Sequence, residues 1–194
     1  MNIVYIIIAI LFTSSCQNRS KQGIINHQYT IINAEGTSVM ERYNPPQGYV
    51  RTQTISGSFE AYLRNLPLKP HGSRVKYYNK QLKIADGIYD GVVDFDIGKK
   101  NLQQCADAVI RLRAEYLYGT GKLEEIHFNF TNGFNAAFSK WKDGYRTVVK
   151  GNNVSWVKKA EPSDSYQVFK KYLEAVFIYA GTLSLSKELK TIHY

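Results

Sequence analysis

Gly98 to Gly119 reads GKKNLQQCADAVIRLRAEYLYG, an amphipathic helical pattern that persists only if another element covers its apolar side. Asn101 followed by Gln104 has the spacing of a capping box, and Leu102, Cys105, Val109, Leu112 and Tyr116 form the apolar stripe. Gly119 and Gly121 end the helix. The chain must supply a surface for that stripe, and its strand patterns provide one. EIHFNF, Glu125 to Phe130, alternates with Ile126, Phe128 and Phe130 inward and His127 and Asn129 on the other side. IYDGVVDFDIG, Ile88 to Gly98, sets Val93, Phe95 and Ile97 on one face and the carboxylates of Asp94 and Asp96 on the other. RVKYY, Arg74 to Tyr78, is a further strand, and GYRTVVKGNNVSWVKK, Gly144 to Lys159, reads as a β-hairpin turning on GNN.

Two more helices complete the order. SFEAYLRNLP begins at Ser58 as N-cap, spaces Phe59, Tyr62, Leu63 and Leu66 helically and stops at Pro67. The closing segment starts near Ser163 or Ser165, carries Tyr166, Phe169, Tyr172, Leu173, Val176 and Phe177 on one face, and breaks near Gly181. The predicted class is α+β, a Cys-bearing helix and a long C-terminal helix packed on a mostly antiparallel sheet. Residues 57–194 form one globular domain, and a 44% hydrophobic chain of 194 residues suffices for one core. Residues 17–56 are polar, contain NPP and lack a sustained period, so they read as a tether and extended lead-in.

At the N-terminus, IVYIIIAILF, Ile3 to Phe12, has the length of a signal-peptide h-region and is too short to span a bilayer of about 30 Å. TSSC follows and resembles the lipobox of bacterial lipoproteins, which makes residues 1–16 a signal peptide and Cys16 the acylated residue. Each buried CH₂ of the acyl chains adds about 0.8 kcal/mol of bilayer affinity. The chain has two cysteines, so with Cys16 lipidated Cys105 has no disulfide partner within it. The net charge of +9 is dispersed without a basic block. This argues against a nucleic-acid partner and for a cationic surface suited to acidic headgroups, an anionic cell-wall polymer or an envelope protein.

Two readings compete for Cys105. A helix N-terminus carries about half a positive charge and stabilises a nearby thiolate, so Cys105 is a candidate nucleophile, with His127 as base and Asp94 or Asp96 as its orienter. The other reading places Cys105 on the apolar stripe as a small core side chain. Arg111 and Glu115 stand at i, i+4, the spacing of an exposed helix pair; Arg111 and Arg113 are also candidates to bind an acidic ligand. No zinc spacing, P-loop or dinucleotide fingerprint occurs, so neither a metal nor another cofactor is expected.

GSFEAYLRNLPLKPHGSRVKYYN, DFDIGKKNLQQCADAVIRLRAEYLYGTGKLEEIHFNFTNGF and SLSKELK together resemble a lipoprotein family of Bacteroidota, the domain of unknown function 4846. The resemblance covers nearly the whole mature chain. It implies a cell-envelope lipoprotein, and because QNRSK after Cys16 lacks the acidic tract associated with surface export, one anchored in the outer membrane and facing the periplasm. Members of the family continue past SLSKEL into a strand with a Gly-His pair. A cysteine opening a helix before such a strand is similar to NlpC/P60-type and other papain-like hydrolases acting on peptidoglycan or another amide. This sequence stops at TIHY, so a shortened, incomplete fold is expected, with an unpaired sheet edge, marginal stability and a tendency to associate. The function classes are therefore a cysteine-hydrolase relative, inactive in this short form, or a non-catalytic envelope-binding lipoprotein with a cationic, tyrosine-rich surface.

Overall fold

A computed structural model describes residues 30–84 and 87–189. The signal peptide, Cys16, the first part of the tether and the terminal TIHY lie outside the described residues. The fold is α+β, with helices packed about two small antiparallel hairpins.

The earliest element, α1 (Val39–Arg42), lies within the segment expected to be extended. The Ser38 hydroxyl accepts from the Glu41 amide, and the Glu41 carboxylate accepts from the Ser38 and Thr37 amides. This S-x-x-E box was readable in the sequence, and four residues suffice for it because the chain there docks on the domain. Arg42 is fully buried, its guanidinium donating to the carbonyls of Gly36 and Lys69. Helix α2 (Phe59–Arg64) starts at Ser58, whose hydroxyl accepts from the Ala61 amide as its sequence predicts.

Helix α3 (Cys105–Gly119) starts three residues later than the capping box at Asn101 implied. Gln103 adopts φ 70° and breaks the helical path, Gln104 becomes the N-cap, and the Asp107 carboxylate accepts from its amide at 2.8 Å. The buried face is consequently Asp107, Ile110, Arg111, Ala114, Tyr116 and Leu117. Cys105 and Val109, expected on the stripe, are exposed. The core reading of Cys105 is thereby overturned: as the first residue of the helix, it precedes the turn that packs inward.

Strands β1 (His127–Asn129) and β2 (Asn135–Ala137) pair antiparallel, with Phe128 facing inward opposite Ala136. The chain passes directly into α4 (Phe138–Lys142) and then into the hairpin β3 (Tyr145–Lys150) and β4 (Asn153–Lys158), paired through six residue pairs about Gly151 and Asn152. Gly144 is required where it stands: at φ 91° its carbonyl accepts from Lys159 and Ala160, and a Cβ would meet the Ala160 carbonyl oxygen at 2.0 Å. Helix α5 (Tyr166–Tyr179) buries Phe169, Tyr172, Leu173, Val176 and Phe177. The break expected near Gly181 separates it from α6 (Thr182–Glu188).

The core is an aromatic joint between α3, α4 and α5. Phe138 and Phe169 meet edge to face at 5.6 Å, Tyr118 stacks on Phe169 at 4.4 Å, and the Tyr172 hydroxyl donates to the Ala136 carbonyl at 2.6 Å. Two expected strands shrink to single bridges. Arg74 to Tyr78 contributes only Lys76 opposite Leu82, and Ile88 to Gly98 only Val93 opposite Leu68. Tyr77, Tyr78, Ile88 and Ile97 are exposed, so there is too little apolar face to hold a longer ladder.

Candidate functional site

A cleft of about 800 Å³ opens between the segment after Ser73 and the segment Val92 to Lys99. The first wall folds back on itself: Tyr77 donates its amide to the Gln81 carbonyl at 2.9 Å and Lys83 to the Val75 carbonyl at 2.9 Å. Lys80 takes φ 68° to complete the turn, and the Asn79 side chain accepts from the Gln81 amide. The second wall runs beside Pro67 to Lys69, tied by Lys69 N–H to Val92 O and Asp94 N–H to Pro67 O, both 2.8 Å. Val75, Val92, Val93 and Phe95 give the cleft an apolar lining, and Tyr77 and Tyr78 stand on its wall.

Its charge is dominated by cations. Among the described residues Lys69, Arg74, Lys76, Lys80, Lys99 and Lys170 line it against one carboxylate, Asp96. The expected alternation holds from Val93 to Asp96, with Asp94 and Asp96 exposed and Val93 and Phe95 more covered, and fails at Ile97, which is exposed. Each carboxylate is claimed by a lysine: Asp94 bridges Lys69, and Asp96 bridges Lys170 at 2.6 Å. The Lys170 ammonium and then the Gly98 amide hold the Asp96 carboxyl below its ordinary range. Among the described residues Lys76, Lys80 and Lys99 form no ion pair, which leaves them to meet a ligand.

The other predicted site residues are dispersed. Cys105 is exposed and lines a separate hollow of about 320 Å³ with Gln104, Asp107, Gly181 and Thr182. His127 is exposed on β1, its Nδ1 3.4 Å from the Asn135 amide nitrogen. No hydrogen bond among the described residues links Cys105 to His127, nor His127 to Asp94 or Asp96, so nucleophile, base and orienter are not assembled as one unit. The described residues hold no group of three or more His, Cys, Asp or Glu able to bind a metal.

Arg111 is not the exposed helix residue its spacing suggested. Its Nε donates to Glu115 at 2.6 Å with both side chains largely buried, and it also reaches the Gln103 amide oxygen at 3.2 Å and the face of Phe95. The Tyr166 hydroxyl donates to the same Glu115 oxygen at 2.8 Å. Burial and then Glu115 push the nearby Tyr62 phenol up to about 12. Arg113 lies over the rings of Phe59 and Tyr116 at 5.4 and 5.5 Å, where its surface is used in packing. Neither arginine lines the large cleft.

Of the cleft's lining, Asp96 alone is among the site residues the sequence suggests. RVKYYNKQLK does carry the signal, lysines interleaved with tyrosines and exposed aliphatics, but Lys99 and Lys170 join it only through the fold. In comparisons with known proteins, the family model described as domain of unknown function (4846) matches residues 39–194. No curated protein and no solved structure matches the chain at a significant level.

Proposed function

The chain belongs to the domain of unknown function 4846 family, and on that premise we propose that it is a lipid-anchored binding protein of the cell envelope whose basic cleft takes an anionic ligand. The anchor is Cys16 after the apolar run Ile3 to Phe12, and the domain stands in the periplasm on the outer membrane. The observation that carries the binding role is the cleft's pairing of unneutralised lysines with an apolar, tyrosine-bearing wall. Its volume, about 800 Å³, is that of a small-molecule or polymer-segment site. A phosphate- or carboxylate-bearing cell-wall polymer satisfies both halves, its charge on Lys76, Lys80 and Lys99 and its carbon skeleton on Val93, Phe95 and the tyrosines.

Exchanging Lys76→Glu together with Lys99→Glu is expected to weaken binding of inorganic polyphosphate and of purified peptidoglycan by about ten-fold or more, measured by titration and co-sedimentation. Binding should also fall with added salt, since exposed charges are screened over about 10 Å at 0.1 M. Affinity indifferent to both the variant and salt would remove the cleft from consideration.

One observation favours a second reading. Cys105 stands exposed at the first residue of a fifteen-residue helix and lines a hollow of about 320 Å³. In that reading the protein is a cysteine-hydrolase relative with Cys105 as nucleophile. Iodoacetamide is expected to label Cys105 in the native state, and Cys105→Ala is expected to change stability by less than about 0.5 kcal/mol. A thiol inert to the reagent in the folded protein ends the hydrolase reading, whereas one labelled with the pH profile of an unfolded control leaves only the binding role.

A further inference from the structure

We propose that the hairpin from Val75 to Lys83, with Ile84 and Ile88 beside it, docks the domain directly onto an anionic phospholipid surface. Ile84 is 92% and Ile88 73% exposed, and Tyr77, Tyr78 and Leu82 are also uncovered, so five large apolar side chains face water among the described residues between Tyr77 and Ile88. Scattered singly, such residues need no account; gathered on and beside one turn they mark an interaction surface. The turn is well built: the Lys76–Leu82 bridge closes it, Arg74 donates to the Lys83 carbonyl at 3.2 Å, and the Tyr89 hydroxyl accepts from the Val75 amide at 3.0 Å, which brings Ile88 to its base.

Charge chooses the partner. Lys76, Lys80 and Lys83 alternate with the apolar residues, against Asp86 and Asp90 in the same stretch of sequence, while Asp94 and Asp96 are occupied by Lys69 and Lys170. The cores of protein interfaces are depleted of lysine. A bilayer surface accepts this mixture, taking aliphatic and tyrosine side chains at the headgroup boundary while anionic headgroups attract each lysine with about a five-fold gain in partitioning. An acylated Cys16 would retain the protein at the membrane; the hairpin, which is also one wall of the cleft, sets which way the cleft faces. The inference goes beyond the cleft's ligand, and Ile84 and Ile88, which do not line the cleft, separate the two.

Among the described residues every member of the core cluster lies between Phe59 and Leu185, so a chain beginning at Gln17 keeps that cluster and can be assayed without its lipid. Flotation with mixed phosphatidylglycerol–phosphatidylcholine vesicles is expected to carry it up, and pure phosphatidylcholine to leave it behind. Lys80→Glu with Lys83→Glu should lower partitioning about thirty-fold. Ile84→Asp with Ile88→Asp should lower it about ten-fold while leaving circular dichroism and polyphosphate binding unchanged. Ile84→Trp should add a blue-shifted emission on the mixed vesicles. Loss of polyphosphate binding with flotation intact would count against the cleft alone. Flotation unchanged by the two isoleucine exchanges, absence of flotation, or a concentration-dependent dimer abolished by those exchanges would overturn the docking surface.

Discussion

Replacing Phe169 by Ala is expected to lower stability by about 3–5 kcal/mol, a large part of the roughly 5–15 kcal/mol that holds a domain together. Phe169 is fully buried, and its ring meets Tyr118 on α3, Phe138 on α4 and Tyr166 on its own helix at 4.4, 5.6 and 5.8 Å. Truncation therefore opens a cavity where α3, α4 and α5 meet, and the β1–β2 hairpin, tied to α5 through Tyr172, cannot collapse into it without giving up that bond. Urea denaturation followed by tryptophan emission measures the loss. Val109→Ala is the contrast: Val109 is 46% exposed, so the same assay should move by less than about 0.5 kcal/mol. Equal losses at the two positions would mean that α3 packs on the stripe its sequence suggested.

That contrast shows where the fold was legible. α5 could be read because Phe169, Tyr172, Leu173, Val176 and Phe177 leave one choice of inward face, and β3–β4 because two β-branched runs flank a turn. α3 offers two faces. Leu102, Cys105, Val109, Leu112 and Tyr116 make one, while the other, which the fold uses, contains Asp107 and Arg111 and so looks polar. Local pairing with the Gln104 amide and with Glu115 makes those two buriable, and a periodicity count has no means to register it. The positions of Asp94 and Asp96 on one face followed from alternation. Their lysine partners, 25 and 74 residues away in sequence, did not. The cleft was hidden for the same reason, since Lys99 and Lys170 reach the hairpin only by long-range contact.

Glu115→Ala is the second large effect, expected to cost about 3–5 kcal/mol although an i, i+4 pair on a solvated helix is worth only about 0.2–0.5 kcal/mol. The difference is burial: the side chains of Arg111 and Glu115 are 6% and 14% exposed. Without the carboxylate, Arg111 keeps only the Gln103 amide oxygen at 3.2 Å, a long contact to the Asp96 carbonyl at 3.4 Å and the Phe95 ring, while the Tyr166 hydroxyl loses its acceptor. A buried guanidinium so stranded is costly, whereas a pair exchanged as a whole for apolar groups of similar volume often is not. Arg111→Met with Glu115→Leu is accordingly expected to lie well above Glu115→Ala in urea midpoint. If the double exchange instead loses as much as the sum of the single ones, the two side chains are uncoupled. Arg111 would then contribute through its guanidinium stacked on Phe95, and removing Glu115 alone should cost no more than an exposed pair.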